Sequence, residues 1–120
     1  MKNFKKLQVW SKGFKIVLNV YKVTNKLPDR ERFGLISQMN RAAVSIPSNI
    51  AEGSARSGQK DYKRFLEIAL GSSFELETQL LIVKELKFSD LKLIEDLLLL
   101  VEEEQKMLTS LIAVIKKASS

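Results

Sequence analysis

The sequence predicts an all-α protein, an antiparallel up-down four-helix bundle whose second helix is kinked at Pro47. Three observations lead there. Only five glycines and two prolines occur in 120 residues, about half the usual share, so few tight turns can be built and hairpin-rich sandwiches and barrels are disfavoured. Apolar residues recur at spacings of three and four through four long segments, the period of a helix with one buried face. Short connections between the segments pack consecutive helices antiparallel. With 45% apolar and 28% charged residues, residues 1–120 read as one ordinary domain.

The first helix is expected over 8–26, with Trp10, Phe14, Val17 and Tyr21 as its buried face. Leu27 ends it, because the residue before Pro28 is pushed away from helical geometry. The second runs over 31–54 with Leu35, Met39, Ala43, Ile46 and Ile50 on one side. Pro47 removes a backbone donor and crowds the carbonyl four residues back, which predicts a kink between Ala43 and Pro47; two short helices broken at the proline are the alternative.

Residues 53–58 form the only loop-like cluster in the middle of the chain, and Ser57 or Gly58 can cap the helix that follows. That third helix is expected over 59–87, with Tyr62, Phe65, Leu66, Ala69, Ser73, Leu76, Leu80 and Val83 inward. Gly71, Ser72 and Ser73 supply small side chains for close packing. Ser89 and Asp90 cap a fourth helix over 90–118, and Lys116 and Lys117 close it, as the macrodipole favours.

Composition narrows the chemistry. The chain has no cysteine and no histidine, so it can form neither a disulfide nor a thiolate metal site and lacks the commonest metal ligand and general base. No metal and no cofactor are expected. Glu52 could act as a general base only with a second acid, metal ligand or nucleophile, and none stands at a telling spacing. The 53–58 loop lacks the Gly-Lys-Ser/Thr ending of a phosphate loop. Lys12 and Lys15 interrupt any apolar core of a leader, and no segment approaches membrane-span length. A cytoplasmic protein without catalytic residues is the expectation.

Two features exceed the needs of one bundle. The third helix carries a second ridge, Leu70, Phe74, Leu81 and Phe88, and the first carries another in Val9, Ile16, Val20, Val23 and Leu27. Such ridges either pack on a second neighbour in the same bundle or bury against other copies. Charge is also uneven. Residues 1–64 hold 14 Lys and Arg against 4 Asp and Glu, whereas residues 65–120 hold 6 against 10. Lys60, Lys63 and Arg64 crowd the start of the third helix just after Arg56, where positive charge opposes the dipole. With Lys2, Lys5, Lys6, Lys12 and Lys15 and with Arg41 on the second helix, they are candidate phosphate contacts of a nucleic-acid site; a solubilising basic face has the same composition. On the polar side of the second helix, Arg41 or Arg56 can pair with Glu52, and Asn49 can satisfy backbone groups freed by Pro47.

Four stretches carry a family resemblance: Phe4-Lys5-Lys6-Leu7-Gln8-Val9-Trp10, Phe33-Gly34-Leu35, the run Arg41-Ala42-Ala43-Val44-Ser45-Ile46-Pro47-Ser48-Asn49-Ile50-Ala51-Glu52-Gly53, and Phe65-Leu66-Glu67-Ile68-Ala69-Leu70-Gly71-Ser72 with Glu75-Leu76-Glu77. Over nearly its whole length the chain resembles the 23S rRNA intervening-sequence proteins, bacterial proteins also called S23 or four-helix-bundle proteins. It is also similar to the accessory variability determinant proteins of diversity-generating retroelements, which present a basic surface to RNA and to a reverse transcriptase. The resemblance implies a homopentameric ring and no established enzymatic activity. The expectation is therefore an oligomeric, non-enzymatic bundle that binds structured RNA or another polyanion through its basic half. A protein-interaction adaptor, or an accessory subunit that does not touch nucleic acid, is the alternative.

Overall fold

The computed structural model describes residues 3–118, so Lys2 lies outside the described residues. Four helices follow one another: α1 (Gln8–Thr24), α2 (Ser37–Ser54), α3 (Gln59–Leu86) and α4 (Leu91–Ala118). α1 packs on α2 and α4, and α3 packs on the same two, which puts α1 and α3 on one diagonal of an antiparallel up-down bundle. It measures 46 × 22 × 21 Å. The long axis matches the rise of the 28-residue helices α3 and α4, about 42 Å each.

α1 is turned relative to the face its aromatic stripe predicts. Its buried residues are Val9, Gly13, Ile16, Val20, Val23 and Thr24; with Leu27, also buried just beyond it, they include every member of the ridge read above as surplus. Phe14 and Tyr21, expected in the core, are 48% and 41% exposed. Gly13 explains the choice. A β-carbon there would stand 2.9 Å from a Glu104 carboxylate oxygen, 3.2 Å from Ile46 and 3.5 Å from Pro47. α1 therefore approaches its neighbours closely along a line that small and β-branched residues fit and aromatic rings do not.

The chain enters α2 through a 3₁₀ turn (Asp29–Glu31) and a π-helical turn (Arg32–Ile36), so regular α-helix begins at Ser37, six residues later than expected. Phe33, in the π turn, is 89% exposed. α2 then runs unbroken through Pro47 to Ser54, and the alternative of two separate helices does not occur. Asn49 does not reach the Ala43 carbonyl that Pro47 leaves without a donor. It donates instead to the Ser45 carbonyl (2.8 Å) and to Ser45 Oγ (2.9 Å). Ser45 Oγ in turn bonds Ser72 Oγ at 2.8 Å, stitching α2 to α3.

All eight residues of the predicted α3 stripe are buried. The helix ends with Lys87 in the left-handed region (φ 58°), and the Phe88 N–H reaches back to the Val83 carbonyl at 3.1 Å. This closure folds Phe88 onto the core beside it. Asp90 caps α4, its carboxylate accepting from the Leu93 N–H at 3.3 Å.

Two glycines have opposite meanings. A β-carbon on Gly53 would stand 2.7 Å from Phe65 Cβ and 3.1 Å from Tyr62, so this glycine lets α2 and α3 touch. Gly71, expected to serve close packing, faces open space; the buried Ser72 and Ser73 take that role. Gly53→Ala is therefore expected to destabilise by about 1–3 kcal/mol through overpacking. Gly71→Ala is expected to stabilise by about 0.5–1 kcal/mol through helix propensity. Urea unfolding of the two variants checks both signs.

Candidate nucleic-acid interface

Four-residue connections at 55–58 and 87–90 bring the N-terminus of α3 and the C-termini of α2 and α4 to one end of the bundle, and the antiparallel packing of α1 on α2 and α4 adds its own N-terminus. Lys5, Lys6, Arg56, Lys60, Lys63 and Arg64 meet there, and the topology adds Lys116 and Lys117 from α4. Sequence reasoning assigned those last two only to the helix dipole; the signal that places them here is the up-down path of the chain. Within residues 3–9, 50–67 and 110–118 there are eight Lys and Arg against three Asp and Glu.

The three acids do not neutralise this end. Arg56 pairs with Glu52 at 2.7 Å, Lys63 with Glu67 at 3.3 Å and Arg64 with Asp61 at 3.9 Å. These are exposed or half-exposed pairs three or four residues apart, each worth a few tenths of a kcal/mol. Asp61 in the first turn also eases the dipole conflict that the basic cluster predicts. Lys5, Lys6 and Lys60 are exposed and make no ion pair among the described residues. The guanidinium groups of Arg56 and Arg64 lie 4.9 and 4.7 Å from the Phe65 ring centroid, which holds two planar cations in place.

The other predicted contacts lie on the sides of the bundle, Lys12 and Lys15 where α1 meets α4 and Arg41 where α2 meets α3. Lys12 crosses from α1 to α4 and donates to Glu103 at 2.8 Å, a bond that holds the Glu103 carboxyl below its ordinary range. Lys15 lies one turn further along α1. With Lys6, Lys12 and Ser11 it lines an open cleft of about 450 Å³ whose α4 side is Leu100 and Met107. Arg41 is 15 residues from Arg56, about 22 Å along α2, where it bonds Gln38 and Glu75 on the α2–α3 seam. Of the predicted oligomer ridge, Phe74 and Leu81 are exposed by about half, whereas Leu70 and Phe88 pack on the core of their own chain. The Arg30 guanidinium lies 5.5 Å from the Phe88 ring centroid.

One titratable group escaped sequence reasoning altogether. Glu104 is fully buried, its carboxylate oxygens have no hydrogen-bond partner among the described residues, and one of them sits over Gly13. Burial pushes its carboxyl up to about 8, against an opposing pull from Lys12. The signal was present in the spacing: Val101, Glu104 and Leu108 follow the three-four step of the buried stripe. Glu52, the one residue weighed as a general base, is held by Arg56 on the surface. Among the described residues no group of three or more potential ligands could hold a metal ion, and no helix is long and apolar enough to cross a membrane.

The fold and its polarised end define a class, the small helical bundles with one basic pole. The model of the 23S rRNA-intervening sequence protein family matches residues 5–110, and the chain belongs to that family. Among solved structures, the chain is similar to a protein of unknown function of the S23 ribosomal protein family from Bacteroides thetaiotaomicron. The TM-score is 0.81 at 24% identity, over 87% of this chain and 97% of that one, which establishes the shared fold. Comparison with curated proteins finds no match.

Glu104 makes stability depend on pH with a definite sign. Its carboxyl titrates at about 8 in the fold and near 4.3 when unfolded, so between those values the folded state binds the extra proton. Stability therefore falls as pH rises through that window, by up to about 1.4 kcal/mol per unit, and levels above it. No histidine or cysteine titrates nearby to mask the slope. Thermal melts from pH 5 to 8 are expected to show a falling Tm for the natural chain and a flatter profile for Glu104→Gln.

Proposed function

We propose that this protein is a non-enzymatic, homo-oligomeric helical bundle that binds structured RNA or another polyanion through its basic end. The observation that carries the reading is the gathering at one end of eight cationic side chains, from the turn before α1, the α2–α3 connection, α3 and α4, against three acids, each of those acids tied to a neighbour on its own segment. Lysines and arginines gathered this way repel one another and are relieved by phosphates, which they bind with release of counterions. Membership of a family named for ribosomal RNA intervening sequences supports RNA as the polyanion.

Oligomerisation has its own support. Phe74 and Leu81 project from the outer side of α3, 51% and 48% exposed, with Ile82 beside them, and an apolar strip of this kind is covered in a stable assembly. A ring repeats one modest basic patch in each copy and raises avidity without new contacts. The pentamer implied by resemblance is the state we assign.

Binding of ribosomal RNA fragments across a salt series tests the reading. Three phosphate contacts per protomer are expected to weaken binding roughly twenty- to fortyfold between 50 and 200 mM salt. Lys60→Glu with Arg64→Glu is expected to abolish it while preserving the fold, since acids at a helix N-terminus are favoured. Salt-independent retention, or no binding at low salt, contradicts it. In light scattering, Phe74→Glu with Leu81→Glu should reduce the particle to the 13.6 kDa chain; a natural chain already of that mass would refute the assembly.

A further inference from the structure

The turn of α1 described above leaves aromatic rings outside the core, at the same end as the cations. Phe4 meets Trp10 edge-on, with ring centroids 5.3 Å apart, and Trp10 stacks on Phe14 at 5.2 Å with only 11° between the planes. The Lys5 ammonium lies 6.0 Å from the Phe4 centroid. Beside this ladder is a slot of about 290 Å³ between α1 and α2. Its walls are Trp10, Phe14 and Val17 on one side and Val44, Pro47 and Ala51 on the other, with Ser48 its one hydroxyl.

We propose that the Phe4–Trp10–Phe14 ladder and its slot stack unpaired nucleobases of the RNA whose phosphates the basic end holds. The inference rests on the RNA reading above and specifies it: the preferred ligand has single-stranded loops or ends, not continuous duplex.

Three observations favour a base over other occupants. No charged residue lines the slot, so a carboxylate or phosphate entering it would lose its water without a partner, whereas a flat neutral ring loses little. The slot is near the lower limit of small-molecule pockets. Its Ala51 wall lies near the cations: Arg56 follows Ala51 by five residues, about 7 Å along the axis, within the reach of one nucleotide. Aromatic rings alternating with cations are how single strands are held without duplex geometry. Arg56 and Arg64 over Phe65 repeat that pairing on the adjoining face of the same end.

Trp10 is the only tryptophan, so its emission reports on the ladder directly. The experiment adds a single-stranded RNA oligonucleotide, or a blunt duplex of the same sequence, to the full chain at low salt. Tryptophan emission and the anisotropy of a label on the RNA are read together. Quenching by the single strand and not by the duplex is expected. Phe14→Leu, at a half-exposed position that leaves the fold intact, is expected to weaken single-strand binding by about five- to 150-fold per stacked base with duplex binding unchanged. Anisotropy that rises with no change in emission and no effect of Phe14→Leu would overturn the stacking and leave the basic end standing. Emission that shifts on dilution of the protein alone and ignores RNA would assign the slot to a second copy and overturn it too. No anisotropy change with either RNA would remove the RNA reading and this inference together.

Discussion

Two connections of four residues each are the constraint on which the rest depends. So short a path allows each following helix only to turn back along the one before it, which fixes the ends of α2, α3 and α4 at one end; packing of α1 on α2 and α4 adds its N-terminus there. The charged residues nearest those termini are mostly lysine and arginine. Their concentration costs electrostatic energy that water and salt reduce but do not remove. The fold tolerates the cost because the groups are exposed, and the local acids pair within their own segments instead of bridging between helices. The runs of motif residues on α2 mostly serve this architecture. Ser45, held by Asn49, joins α2 to α3 through Ser72, Gly53 lets the two helices touch, and Glu52 holds Arg56 at the edge of the basic end.

Gly13 sets the second relation, the rotation of α1. Its missing β-carbon admits a Glu104 oxygen, Ile46 and Pro47 at contact distance, and the valines and isoleucine on that line become core. Phe14 and Tyr21 of the aromatic stripe then lie outside, with Trp10 and Val17 at the edge of the core, and the ladder and slot form along them. Glu104 pushed against the same glycine is a buried carboxyl with no partner, a group that the fold keeps protonated across neutral pH.

Much of the fold is legible in the sequence. The order of the helices, the α3 stripe, a start for α3 just after Ser57 or Gly58 and the cap at Asp90 follow from local spacing and local chemistry, which near neighbours in the chain decide. What was not legible depends on contacts between distant segments. Two apolar stripes about 100° apart on α1 are equally good cores by periodicity, and only the approach at Gly13 selects between them. The same holds for Gly71, which faces solvent, and for Lys116 and Lys117, whose place at the basic end is a property of topology. The 3₁₀ and π turns before Ser37 were hidden because Leu35 and Met39 keep a helical spacing through them. Of the candidate interface, the residues around Arg56 and Lys60 were legible as a cluster because they are close in sequence; Arg41 was grouped with them by charge alone and belongs to the α2–α3 seam.

The central claim is that one end of the bundle is the polyanion-binding surface. Amide NMR shifts of the full chain, followed as an RNA oligonucleotide is added at low salt and then as salt is raised, test it most directly. The account predicts shifts confined to the amides around Arg56, residues 59–64 and the first turns of α1, reversed by salt. Shifts centred on the opposite end, around Phe33 and Ser89, or spread evenly along the bundle, would contradict it.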